Sequence, residues 1–118
     1  MTDTRQQRFR DYSAFWRHYL REHAKPETRA LHLCGTALAI LALLALILTG
    51  DPWFVVVALV AGYGPAWFAH FFVEKNRPAT FIHPWWSLLS DFRMAGLWTI
   101  GRLERELANE GVTTPPPR

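Results

Sequence analysis

Residues 30–73 read ALHLCGTALAILALLALILTGDPWFVVVALVAGYGPAWFAHFFV, and across these forty-four positions the only charged side chain is Asp51. All thirteen Lys and Arg residues lie outside this stretch, seven before it and six after. It divides at Thr49-Gly50-Asp51-Pro52, where Gly stops one helix and Pro suits the start of the next. A membrane-spanning helix needs about 17–25 mostly apolar residues. Leu31 to Leu48 and Trp53 to Val73 each reach that range. A charged segment precedes them, so the first is not a cleavable signal peptide. A helical hairpin buried in a soluble bundle is the competing reading, but so short a chain offers little else to wrap that much apolar surface. Basic short loops stay cytoplasmic, so the chain is expected in a membrane as a multi-pass protein with both termini cytoplasmic.

Composition agrees with this frame. The 118 residues are half hydrophobic and 14% aromatic, which excludes a disordered chain. Residues 1–110 read as one helical membrane domain and 111–118 as a disordered Pro-rich tail. The lone Cys34 excludes an internal disulfide framework and a Cys-rich metal site. A net charge of +3 does not suggest a nucleic-acid partner.

Outside the hairpin, Phe9, Tyr12, Trp16, Tyr19 and His23 recur at intervals of three and four, one face of an amphipathic helix. Such a helix could lie along a membrane surface with its aromatics in the interface. Lys25-Pro26 ends it and starts the next helix. After a loop over Glu74 to Ile82, Pro84 opens a fourth helix, with Trp85, Leu88, Phe92, Ala95, Thr99, Leu103 and Leu107 along one side. The expected fold is therefore all-α, a four-helix membrane-associated protein around a central hydrophobic hairpin. Gly35, Ala39, Gly62 and Ala66 are small enough to let the hairpin pack on a second copy in a homo-oligomer.

An antiparallel hairpin sets the start of one arm beside the end of the other, so His32 and His70 fall at similar depth. His23 and His83 flank the same end, and four imidazoles converge. Ionisable groups at a membrane segment suggest function by default, and imidazole is the commonest metal ligand near neutral pH. An ion held by three or four neutral histidines keeps open positions for substrate and oxygen. Each ring also has a structural role open to it: His83 could cap the fourth helix, and His32 and His70 could cap helix ends or bond each other. His18 lies on the charged face of its helix, and Cys34 projects away from His32.

The segments Tyr19-Leu-Arg-Glu-His23 with Pro26 and His32-Leu-Cys-Gly35, then Gly62-Tyr-Gly and His70-Phe-Phe-Val-Glu74-Lys-Asn76-Arg77-Pro78-Ala79-Thr80, then His83-Pro84-Trp-Trp86-Ser87-Leu88 and Asp91-Phe-Arg93-Met94 resemble three blocks of one family. It comprises membrane-embedded 2-hydroxy fatty acid dioxygenases (metabolism of phytosphingosine to odd-numbered fatty acids). The resemblance covers roughly residues 9 to 98 and departs at Thr28, where the family pattern often has Asn. It implies an iron(II) enzyme that shortens a 2-hydroxy fatty acid by one carbon with molecular oxygen and without 2-oxoglutarate. The iron ligands it implies are His23, His32, His70 and His83.

On that reading Lys75 or Arg77 could pair with the substrate carboxylate, Arg in bidentate geometry. Glu74 and Asp91 are candidates to accept the free ring N–H of a ligand histidine, while Asn76 and Thr80 are expected to shape the loop. Two rivals belong to other classes. One is an electron carrier with haem between His32 and His70, the other a metal-free membrane adaptor. Zinc hydrolysis is a weaker option, because no general base beyond Glu74 is evident.

Overall fold

The computed structural model describes residues 9–112. Among these the protein is all-helical, with five α-helices: α1 (Tyr12–Arg21), α2 (Pro26–Thr49), α3 (Trp53–Phe68), α4 (Pro84–Thr99) and α5 (Leu103–Asn109). A wider π-helical turn over Ala69–Glu74 continues α3, and a single 3-10 turn over Ala79–Phe81 leads to α4.

The hairpin forms where the sequence placed it. Gly50 ends α2 in the left-handed region, φ 70°, with its N–H on the Leu46 carbonyl. Asp51 Oδ1 then accepts the Trp53 N–H at 3.0 Å, which satisfies a donor at the start of α3. The small residues serve this packing inside the chain: a Cβ added at Gly35 would lie 2.7 Å from the Ala61 carbonyl oxygen, and one at Gly62 would touch Ala39. Pro65 stands inside α3 and removes the N–H that Ala61 would normally receive. α2, and α3 with its π-helical extension, are each long and apolar enough to cross a membrane, and little of either is buried within the protein.

Two expectations change, and a third element gains a direction that the sequence left open. The aromatic face of α1 does not lie open for a membrane surface: Phe15, Trp16, Tyr19 and Leu20 are buried with Met94, Leu103, Leu107 and Val112. The reason is a fifth helix that gives this face a protein partner, joined by Trp16 Nε1 donating to Glu106 Oε2 at 2.7 Å. The expected fourth helix breaks in two, because Gly101 takes φ 76° after Thr99–Ile100. Finally, α4 turns its polar side inward. Ser87, Ser90 and Met94 are buried, while Trp85, Leu88 and Phe92 are exposed. Of the expected tail, Gly111 and Val112 are described, with Val112 buried in the core, and residues 113–118 lie outside the described residues.

Candidate metal centre

Just past the end of α1 at Arg21 the chain carries a buried histidine. His23 is 1% exposed. Arg29, itself buried, donates from one guanidinium nitrogen to the His23 and Ala24 carbonyls, both at 2.8 Å. Those carbonyls lie just past the end of α1, where a cation is favoured. α2 begins at Pro26 and carries His32 inward on its second turn, and the π-helical turn carries His70. Such turns widen a helix locally and recur at functional sites. Here the turn closes on Lys75, φ 66°, and both Lys75 and Asn76 donate their N–H groups to the His70 carbonyl.

His23, His32 and His70 come together. Their ring centroids are 4.8 Å (His23–His32), 4.5 Å (His23–His70) and 6.1 Å (His32–His70) apart. One nitrogen from each ring lies within 4.8 Å of the others, a set that could hold a metal ion. In every ring one nitrogen is already engaged. His23 Nδ1 donates to the Tyr19 carbonyl at 2.7 Å. His70 Nδ1 donates to Asn76 Oδ1 at 2.8 Å. His32 Nε2 lies 3.1 Å from Asp91 Oδ1. Of the opposite nitrogens, His23 Nε2 and His32 Nδ1 are buried without a partner among the described residues. A carbonyl, an amide and a carboxylate holding the outer ring nitrogens is the arrangement that aims imidazole lone pairs at a metal.

The donor set passes a chemical test as well. Burial holds the His23 imidazole well below 6.5, and repulsion from His32 and His70 lowers it further, so it stays neutral as a ligand must. Tyr19 donates its hydroxyl to Asp91 Oδ1 at 2.6 Å; burial first and the Asp91 charge second hold its phenol well above 10, so it remains a donor. A metal–nitrogen bond of about 2.1 Å holds three nitrogens on one face of an ion about 3.0–3.6 Å apart, so the widest pair would close by about 1–2 Å around it. The cavity they line, with Tyr63, Trp67, Thr80 and Ser87 on its walls, measures about 10 Å³. That is room for one ion or water.

Other residues singled out in the sequence fall elsewhere. His83 is not part of the three-ring group: its Nε2 accepts the Phe9 N–H at 2.9 Å and its ring stacks on Trp86 at 4.4 Å. Glu74 Oε2 accepts the Lys25 N–H at 2.6 Å, so it secures the start of α2. Lys75 is exposed, and Cys34 is exposed as expected. Arg77 stands over the Phe81 ring at 5.3 Å and lines a separate cavity of about 360 Å³ with His18, Glu22 and Asn76. Sequence reading missed the roles of Tyr19, Arg29 and Asn76. Only Asn76, a polar side chain six residues after His70, left a visible signal.

A second cavity of about 220 Å³ adjoins the first. Tyr63 and Asp91 line both, and the remaining walls are almost wholly apolar. No curated protein and no solved structure matches this chain. Residues 9–103, which carry all three clustered histidines with Asn76 and Asp91, match the family described as 2-hydroxy-palmitic acid dioxygenase Mpo1-like, and the chain belongs to that family.

Proposed function

We propose that this protein is an iron(II)-dependent, 2-oxoglutarate-independent dioxygenase of a membrane, which cleaves a 2-hydroxy fatty acid to the acid one carbon shorter. The observation that carries this reading is the three-ring group, each ring anchored through one nitrogen and turned with the other toward a common small cavity. When bound, iron(II) would supply oxygen binding and electron transfer, with its charge uncompensated by neutral imidazoles and available to an anionic substrate. The reaction balances without an added reductant: a 2-hydroxy acid and one O₂ give the shorter acid, carbon dioxide and water. The C1–C2 bond breaks, and the substrate supplies the four electrons that oxygen takes up.

The chain's own residues then have distinct tasks. Tyr19 and Asp91 fix His32, and Asn76 fixes His70. Trp67 offers a buried indole N–H with no acceptor among the described residues, on a side chain lining the same cavity, and it is a donor for a substrate oxygen. The engagement of Glu74 with Lys25, and of Asp91 with Tyr19 and His32, leaves no free carboxylate among the described residues lining the cavity to act as a hydrolytic base. Haem is a poor fit for a cavity of about 10 Å³ with His23 packed against both His32 and His70.

A membrane setting is supported by α2, whose 24 residues extend about 36 Å against a hydrocarbon core of about 30 Å. It is supported also by α4, which faces its apolar side outward with Trp85 80% exposed. The basic ends support a topology with both termini on the cytoplasmic side.

The test is anaerobic loading of purified protein with iron(II), addition of oxygen and 2-hydroxy-palmitic acid, and mass spectrometry of the products. The expected product is the fifteen-carbon acid, with one iron per chain. Alanine at His23, His32 or His70 removes both iron and product, while His83→Ala retains the iron. Full turnover in a His70→Ala protein stripped of metal would overturn the reading.

A further inference from the structure

The two adjoining cavities divide a 2-hydroxy fatty acid into its parts. The small one carries the three imidazoles with Thr80, Ser87 and Asp91 in its lining, and at about 10 Å³ it is closed to anything bulky. The larger one runs between α2, α3 and α4, and among the described residues Asp91 at the shared end is the only charged side chain lining it. Ala39 and Ala58 lie along its middle, and Leu43 and Val55 lie farthest from the shared end in sequence. From His32 to Leu43 is eleven residues of α2, or about 16 Å at 1.5 Å per residue. That is about half the 30 Å hydrocarbon core, the depth of one leaflet and one acyl chain.

We propose that this groove seats the acyl tail of the substrate, and that its walls set chain length: Ala39 and Ala58 leave the middle open, and Leu43 closes the far end. The proposal rests on the 2-hydroxy acid reading above. The occupant is a single-tailed acid rather than a bilayer phospholipid, because the cavity that shares Tyr63 and Asp91 with the groove, about 10 Å³, has no room for a large headgroup. Leucine at Ala39 or Ala58 extends three further carbons into the groove, whereas alanine at Leu43 removes three from its end.

Two measurements on the full chain in lipid nanodiscs test this. In the first, metal-free protein is labelled with 2-hydroxy-palmitic acid carrying a diazirine at its terminal carbon, and the attachment sites are mapped by mass spectrometry. Label should concentrate around Leu43 and Val55, and unlabelled 2-hydroxy-palmitic acid should compete it away. Label spread over outward residues such as Val60 and Phe72 and insensitive to competitor, as for ordinary lipid contact, overturns the proposal. In the second, iron-loaded protein receives an equimolar mixture of 2-hydroxy acids from twelve to twenty carbons. Ala58→Leu and Ala39→Leu should shift the product ratio about tenfold toward shorter chains, and Leu43→Ala should shift it toward longer ones. A misfolded variant loses all products together, so opposite shifts cannot arise from instability. Identical length profiles in all three variants overturn the proposal. Competable labelling at Leu43 and Val55 in a protein that cleaves none of the acids supports the tail site and rejects only the oxygenase reading.

Discussion

Asn76 joins two groups of different character: its carbonyl oxygen holds His70 Nδ1, and its amide nitrogen donates to Glu22 Oε2 at 2.8 Å. Asn76→Ala removes the acceptor that orients the ring, and loss of such an outer partner typically weakens metal binding 10–100-fold. A competition titration against a calibrated chelator should show that loss with the helical content unchanged; equal affinities would remove Asn76 from the site. Glu22 yields a prediction in pH. Burial, opposed by the Asn76 hydrogen bond, raises its carboxyl from 4.5 to about 7. Between those values the folded protein keeps a proton that the unfolded chain releases, so stability falls as pH rises from about 4.5 to about 7 and then levels. Glu22→Gln should therefore stabilise by about 1 kcal/mol at pH 8, allowing for water at its exposed edge, and by nothing at pH 4. Thermal melts in detergent at the two pH values check it, and a gain independent of pH would refute it. The histidines were legible at this scale because hairpin topology alone aligns His32 with His70. Tyr19 and Arg29 were not, since a helix-face tyrosine and a loop-adjacent arginine acquire roles only when α4 and α1 supply Asp91 and the terminal carbonyls.

At the scale of elements, the site depends on how closely α2 approaches α3. His32 rides on α2 three residues before Gly35, and His70 follows α3. The Ala61 carbonyl fills the space a Cβ would need at Gly35. Backbone cannot swing aside as a side chain can, so Gly35→Ala must push the helices apart at a cost of about 1–3 kcal/mol. The same separation draws His32 from His70, so iron affinity should fall together with the melting temperature. Gly64→Ala is the control: nothing lies within 4 Å of its would-be Cβ, and alanine favours helix. If Gly64→Ala harms the site as much as Gly35→Ala, close packing is not the cause. The turn at Gly50 was legible because its chemistry is local. The break at Gly101 and the inward polar side of α4 were harder to read, since periodicity reports a face without reporting which side meets protein. That face followed Trp85, Leu88 and Phe92 correctly as one side of a helix, but the inward side carries Ser87, Ser90 and Asp91, which the metal centre and Tyr12 engage.

At the scale of the whole molecule, charge and apolar surface are separated along the hairpin axis. The tip has Asp51 and no basic residue, with Leu48 84% and Trp53 64% exposed. The opposite end carries Arg21, Lys25, Lys75, Arg77 and Arg102. With α2 longer than the hydrocarbon thickness, and α3 with its extension covering 22 residues, or about 33 Å, a hairpin that crosses fully brings Asp51 to the far side. A hairpin that only dips keeps every polar site on one side. Single cysteines placed in a Cys34→Ser background at Arg21, Asp51 and Arg102 separate the two cases, because all three positions are exposed. In inside-out vesicles a membrane-impermeant maleimide should reach Arg21→Cys and Arg102→Cys and leave Asp51→Cys unmodified, and in right-side-out vesicles the pattern should reverse. Labelling of all three from the cytoplasmic face would mean a hairpin held in one leaflet. The metal centre would still lie at the basic end in that case, since its position follows from where α1, α2 and the π-helical turn meet, and only the far boundary of the apolar groove would move from bilayer midplane to membrane edge.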